Sequence, residues 1–277
     1  MADAETGKEA EIPSGEGYIF GGPPSREHVL DDLESLAAVE HALCVEYLSI
    51  HCALGHDTPP PPGSSPRVPQ AAQAAFGLAL SEMKHFHRLN QVLTLAGRRP
   101  QVGRASSISE DSASEIPLGP PSTTELQRLV DREREIAAAV DRRYAALCSV
   151  LASQPPLFDG ELLDELTALA DLCPDHSTPL GDLRKNLEGI PPSEYLRATR
   201  RVPGDDLERS LLELSDGHYG LVVGIVRAWF AHEDELGGEL FGRAVSAMDG
   251  LNAVNGLLVA RGLLPPFTLP VEMPPAR

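Results

Sequence analysis

The chain has 277 residues, 42% of them apolar and 5% aromatic, and 23 Lys and Arg stand against 41 Asp and Glu for a formal net charge of −18. That charge, with no basic patch set aside, excludes nucleic acid as a partner, and four cysteines without a CxxC pair exclude a disulfide framework or a zinc knuckle. No stretch of about 18 apolar residues predicts a membrane span, and the acidic opening MADAETGKEAEIP lacks the regions of a secretory leader, so a cytoplasmic protein is expected.

Residues 1–26 are polar and rich in Gly and Pro and read as a flexible N-terminal arm. Residues 27–277 then read as one helical domain. A first helix is predicted over 27–54. Its apolar stripe runs Leu33, Leu36 and Ala37, Glu40, Leu43 and Cys44, Tyr47, Ile50 and His51, and Leu54, in steps of three and four. Glu40 lies inside that stripe. Glu46 is about 240° around from Glu40 and is expected to face solvent.

Prolines make 55–70 a loop. The second helix is predicted over 70–97, closed by Gly97 with Pro100 beyond. Its stripe is Leu78, Glu82, His85, Leu89, Val92 and Ala96. Two consecutive ionisable residues on an apolar face are expensive to bury unless they pair or bind a cation. Glu82 and His85 stand one turn apart, where both can reach one metal ion, or each other. His87 is expected on the solvent side, with Lys84 and Arg88 also outward and given no substrate contact.

Residues 98–122 read as a second long loop, and 123–153 as a third helix opened by Ser122 and Glu125. Its stripe is Leu126, Leu129, Glu133, Ile136, Val140, Tyr144 and Leu147, interrupted by Glu133. Tyr47 and Tyr144 both fall on inward stripes, where each hydroxyl needs a partner. They read either as core tyrosines bonded to carboxylates or as participants in catalysis. Short amphipathic pieces follow at 160–172, 178–188 and 193–200. Two more long helices are predicted over 205–234 and 237–264. The first of these has the stripe Leu211, Ser215, His218, Val222, Ile225, Trp229 and His232, with His218 as a candidate ligand or a satisfied core histidine. The fold class is all-α.

Inward carboxylates on three helices and one Glu-x-x-His resemble the ferritin-like superfamily, a four-helix bundle that binds metal with one Glu from each of two helices and Glu-x-x-His from the other two. More specifically, Glu40-His41, Tyr47-Leu48, Glu82-Met83-Lys84-His85, Asn90, and Gly97 with Pro100 resemble the ferritin-like domain of iminophenylpyruvate dimer synthases. The likeness runs from Leu33 to Pro100. It implies a ferritin-like four-helix bundle with additional C-terminal helices. The implied metal ligands are Glu40, Glu82, His85, Glu133 and His218, and Tyr47 and Tyr144 are candidates for the catalytic chemistry. The second Glu-x-x-His is not intact: Ser215 precedes His218 at that spacing, and Cys173 precedes His176. One metal, two metals or a metal-free relic therefore stand as alternatives.

Carboxylates with imidazole suit iron or manganese. The expected function is a non-haem iron or manganese oxidase or oxygenase acting with dioxygen on a small organic molecule of specialised metabolism. The alternatives are a metal-free ferritin-like enzyme that couples or rearranges a natural-product intermediate, and a helical binding or scaffold protein with a degenerate metal site. The last helix either completes the bundle or forms a homodimer face.

Overall fold

Ser25 opens the first helix, α1 (Arg26–Ala53), by accepting a hydrogen bond from the His28 N–H at 3.2 Å. The computed structural model describes residues 25–55, 65–105, 158, 160–171 and 177–268. Within these residues the chain forms α1, α2 (Arg67–Leu95), α3 (Gly160–Asp171), α4 (Ser177–Leu187), α5 (Pro192–Tyr195), α6 (Asp206–Ala231) and α7 (Glu233–Ala260), with no strand beyond an isolated bridge between Arg200 and Leu263. The all-α expectation holds for them. The expected helix over 123–153, with Glu133 and Tyr144, lies outside the described residues, as do 1–24 of the arm. None of the described helices is long and apolar enough to cross a membrane.

Helix α2 starts three residues earlier than expected. Pro69 does not prevent this, because it sits in the first turn, where the backbone N–H has no partner within the helix in any case. The helix ends as expected at Gly97, whose φ of +79° suits glycine. The Arg98 N–H reaches the Leu93 carbonyl at 2.8 Å and the Gly97 N–H that of Thr94 at 2.9 Å, closing a Schellman turn. The last helix stops at Ala260, not 264, because Gly262 takes a φ of +76° and the Leu263 N–H turns back to Leu258. The piece expected over 193–200 is only the single turn α5, followed by extended chain.

Helices α1 and α2 pack along each other, and so do α6 and α7. One core cluster joins α1 and α2 to α3, α4 and α5 through Leu43, Tyr47, Leu89, Leu166, Leu183 and Tyr195. A second lies between the α1–α2 pair and the α6–α7 pair and includes Val45, Phe86, Tyr219, Phe230, Leu251 and Phe267. Helix α1 belongs to both. From Leu36 to Leu54 only Ala38 and Leu48 are less than fully buried. Glu46 is therefore buried, at 1% exposure, and not solvated as its angle suggested. The expectation assumed a helix with one wet side, and this part of α1 has none.

The start of α6 is tied to the end of α7. Asp205 caps α6 through the Glu208 N–H at 2.7 Å. Glu208 accepts from Arg200 at 2.8 Å and from the Gly204 N–H at 2.6 Å, and Arg200 also donates to the Arg261 carbonyl at 2.8 Å. The Arg200 guanidinium, followed by the Gly204 N–H, holds the Glu208 carboxyl below its ordinary range. A depressed carboxyl adds stability above its unfolded pKa, and that contribution is lost as pH falls through the folded value. Glu208→Gln should accordingly lower the urea midpoint at neutral pH, and the deficit should shrink towards zero through the carboxylate range. A deficit that persists unchanged into acid would contradict this account.

Candidate metal centre and adjoining cavity

Position 40 on α1 and positions 82 and 85 on α2 fall on the faces these helices turn to each other. Glu40, Glu82 and His85 are buried to 1%, 0% and 3% exposure. His85 Nδ1 lies 3.3 Å from Glu82 Oε2 and 3.5 Å from Glu40 Oε2, and one donor atom from each residue lies within 4.8 Å of the others. These are the positions at which charge interrupted the apolar stripes. Two carboxylates with one imidazole carry a net negative charge when both are ionised, even if the imidazole is protonated. Burying such a set is costly unless a cation or a proton compensates it. Donors to one ion, each about 2.1 Å from it, lie at most about 4.2 Å apart, so both His85 separations already fit a shared metal. Two carboxylates and one imidazole form a buried group that could hold a metal ion.

Cys44 stands one turn beyond Glu40. It is a free, buried thiol. Burial, reinforced by the charges of Glu82 and Glu40, pushes it up to about 12, so it stays protonated at neutral pH. Cys44 also lines a cavity of about 760 Å³ between the α1–α2 pair and the α6–α7 pair. The walls are largely apolar, among them Val45, Leu48, Phe86, Val223, Trp229 and Phe267.

The hydrogen-bonded pair His41 and Tyr219 faces that cavity. His41 Nδ1 lies 3.1 Å from the Val102 carbonyl and 3.2 Å from the Gly103 carbonyl, and its Nε2 lies 2.8 Å from the Tyr219 hydroxyl. Burial lowers the His41 pKa to about 4, so the ring is neutral at neutral pH. Carbonyl oxygens only accept, so the ring proton sits on Nδ1 and the Tyr219 hydroxyl donates to Nε2. Burial also pushes the Tyr219 phenol above its usual range. The carbonyls at 102 and 103 are themselves fixed. Asn90, fully buried, donates to the Phe86 and Gln101 carbonyls at 3.0 and 3.2 Å and accepts from the Gln101 N–H at 2.6 Å.

Of the residues singled out in the sequence, Glu40, Glu82 and His85 come together. Tyr47 is fully buried in the core shared with α3 to α5. His218 is not in the trio. It is half-buried against α7, where a Cβ built at Gly250 would meet its ring at 2.9 Å. The buried side of α6 is turned by about one residue from the expected stripe, along Leu211, Ser215, Tyr219, Val223 and Phe230, so Tyr219 is the inward residue. Both stripes have helical spacing; α6 turns Tyr219 and Phe230 to His41 and Phe86 of the α1–α2 pair and His218 to Gly250 of α7. His87 is not on a solvent face. It is half-buried, with its ring 4.9 Å from Trp229 and 5.4 Å from Phe230. Lys84 and Arg88 line the cavity, which the sequence reading had not assigned them.

Compared with family models, curated proteins and solved structures, the chain finds no match.

Tyr219→Phe removes the donor to a buried imidazole nitrogen and should cost about 1–3 kcal/mol in urea unfolding. Unchanged stability would mean that the His41 ring does not depend on this bond.

Proposed function

We propose that the chain is a ferritin-like bundle that binds iron or manganese at Glu40, Glu82 and His85 and oxidises a small organic molecule. The observation that carries this reading is the buried trio, with His85 Nδ1 at 3.3 and 3.5 Å from two carboxylates. Glu133, outside the described residues, is the candidate to extend the ligand set. A bound, reduced ion of this kind supplies a redox centre able to use dioxygen.

The protein's own residues supply the surroundings. The α1–α2 packing keeps water from the two carboxylates, which strengthens their hold on a cation. His85 is held between both carboxylates, which restricts its ring. Tyr47 lies on the same side of α1 as Glu40, two turns further on, and is the candidate phenol for proton transfer, with Tyr144 as the second. Cys44 stands between the trio and the cavity, which gives an organic substrate an apolar place beside the metal ligands. The same apolar cavity also supports the reading of a metal-free enzyme or a binding protein, in which protons shared within the trio compensate its charge.

The test is metal content by plasma mass spectrometry on protein purified without a chelator or a His-tag, with helicity checked by circular dichroism. About one or two equivalents of iron or manganese are expected, and Glu82→Ala should lose them while keeping its helicity. Binding should also raise the wild-type melting temperature and leave that of Glu82→Ala unmoved. No stoichiometric metal after anaerobic Fe(II) loading would overturn the metal reading and leave the metal-free alternatives.

A further inference from the structure

The cavity differs in charge from the rest of the molecule. The chain has 41 acidic and 23 basic residues, yet the described residues that line the cavity include no Asp or Glu. Its ionisable lining consists of Lys84, Arg88, His41, His87, Tyr219 and Cys44. His41 Nε2 accepts from the Tyr219 hydroxyl, and Cys44 is a free, buried thiol. Arg88 is held by Glu165 at 2.8 Å. Lys84 is exposed, lines the cavity, and makes no ion pair among the described residues. A volume of about 760 Å³ lies in the range of small-molecule pockets, about 300–1,000 Å³.

From these features we propose that the cavity between the α1–α2 and α6–α7 pairs binds an apolar anion, with its hydrocarbon body against Val223, Trp229 and Phe230 and its negative head at Lys84. A largely apolar lining selects for apolar surface, and Lys84, with no carboxylate among the described lining residues, selects against a cationic head. The ligand would be the substrate only if the metal reading also holds. Binding itself needs no metal.

Trp229 is the only tryptophan in the chain and it lines the cavity, so its fluorescence reports occupancy directly. The full chain, treated with chelator, would be titrated below the micelle concentrations with three twelve-carbon probes: dodecanoate, dodecanol and dodecyltrimethylammonium. Dodecanoate should give a saturable change, and each of the other two should bind at least about tenfold more weakly. Lys84→Glu should weaken dodecanoate by about tenfold and leave dodecanol unchanged. Val223→Phe, with helicity checked by circular dichroism, should weaken dodecanoate and dodecanol together.

No saturable response to dodecanoate, equal binding of the three probes, or an unchanged dodecanoate affinity in Lys84→Glu would each overturn the proposal. If Val223→Phe does not fold, Val226→Phe tests the same wall. Because the metal is removed beforehand, an absent metal centre leaves this result standing. A failed titration, in turn, leaves the metal measurement standing.

Discussion

Helix α1 has no wet side over most of its length, and every polar group it carries there has to be answered by another element. Glu40 is met by His85 of α2. His41 is met by the carbonyls of Val102 and Gly103 and by Tyr219 of α6. The His51 ring lies 2.9 Å from the Ala72 carbonyl of α2. An unanswered polar group in such a position costs about 1–3 kcal/mol, so these contacts fix where the neighbouring elements can sit. The trio and the cavity are both consequences of that enclosure, on two sides of one helix.

The parts of this arrangement that were legible in the sequence are those that a single helix determines. Glu40, Glu82 and His85 stood out because charge in an apolar stripe has to be compensated, and the structure brings the three together. Gly97 was legible as a helix end because few other residues adopt its backbone conformation. Glu46 was misread because periodicity separates a buried face from a wet one only when a wet one exists. Tyr219 was missed for a related reason. Two stripes on α6, one through His218 and one through Tyr219, differ by about one residue of rotation, and the choice depends on how α6 sits between α7 and the α1–α2 pair, which the local sequence does not specify. His87 likewise gains its aromatic neighbours from α6.

The motif residues around the second helix divide into two roles. Glu82 and His85 face Glu40. Asn90 and Gly97 act instead on the neighbouring site. Gly97 turns the chain back, Asn90 then holds Gln101, and the two carbonyls that follow set which nitrogen of His41 carries the proton. A pattern that reads as one metal motif thus also specifies the tautomer of a histidine on the cavity wall. The lining of that cavity, without Asp or Glu among the described residues, is a different kind of feature. It is spread over four helices and two extended segments, so no local window of the sequence displays it.

The extended chain after α5 closes the structure at a distance. The Arg197 and Ala198 N–H groups both reach the Ala53 carbonyl at the end of α1, at 2.7 and 3.4 Å, and the Thr199 and Arg200 N–H groups reach Gly262 beyond α7. One short segment therefore joins the ends of helices that are far apart in sequence. Contacts of this kind carry a large loop-closure cost and reward the chain only once both partners are in place. The α1–α2 hairpin, joined by nearby residues, can assemble without them. The two sites thus depend on contacts of different range: Glu40, Glu82 and His85 meet across neighbouring helices, whereas the cavity wall supplied by α6 and α7 is fastened by segments far apart in the chain.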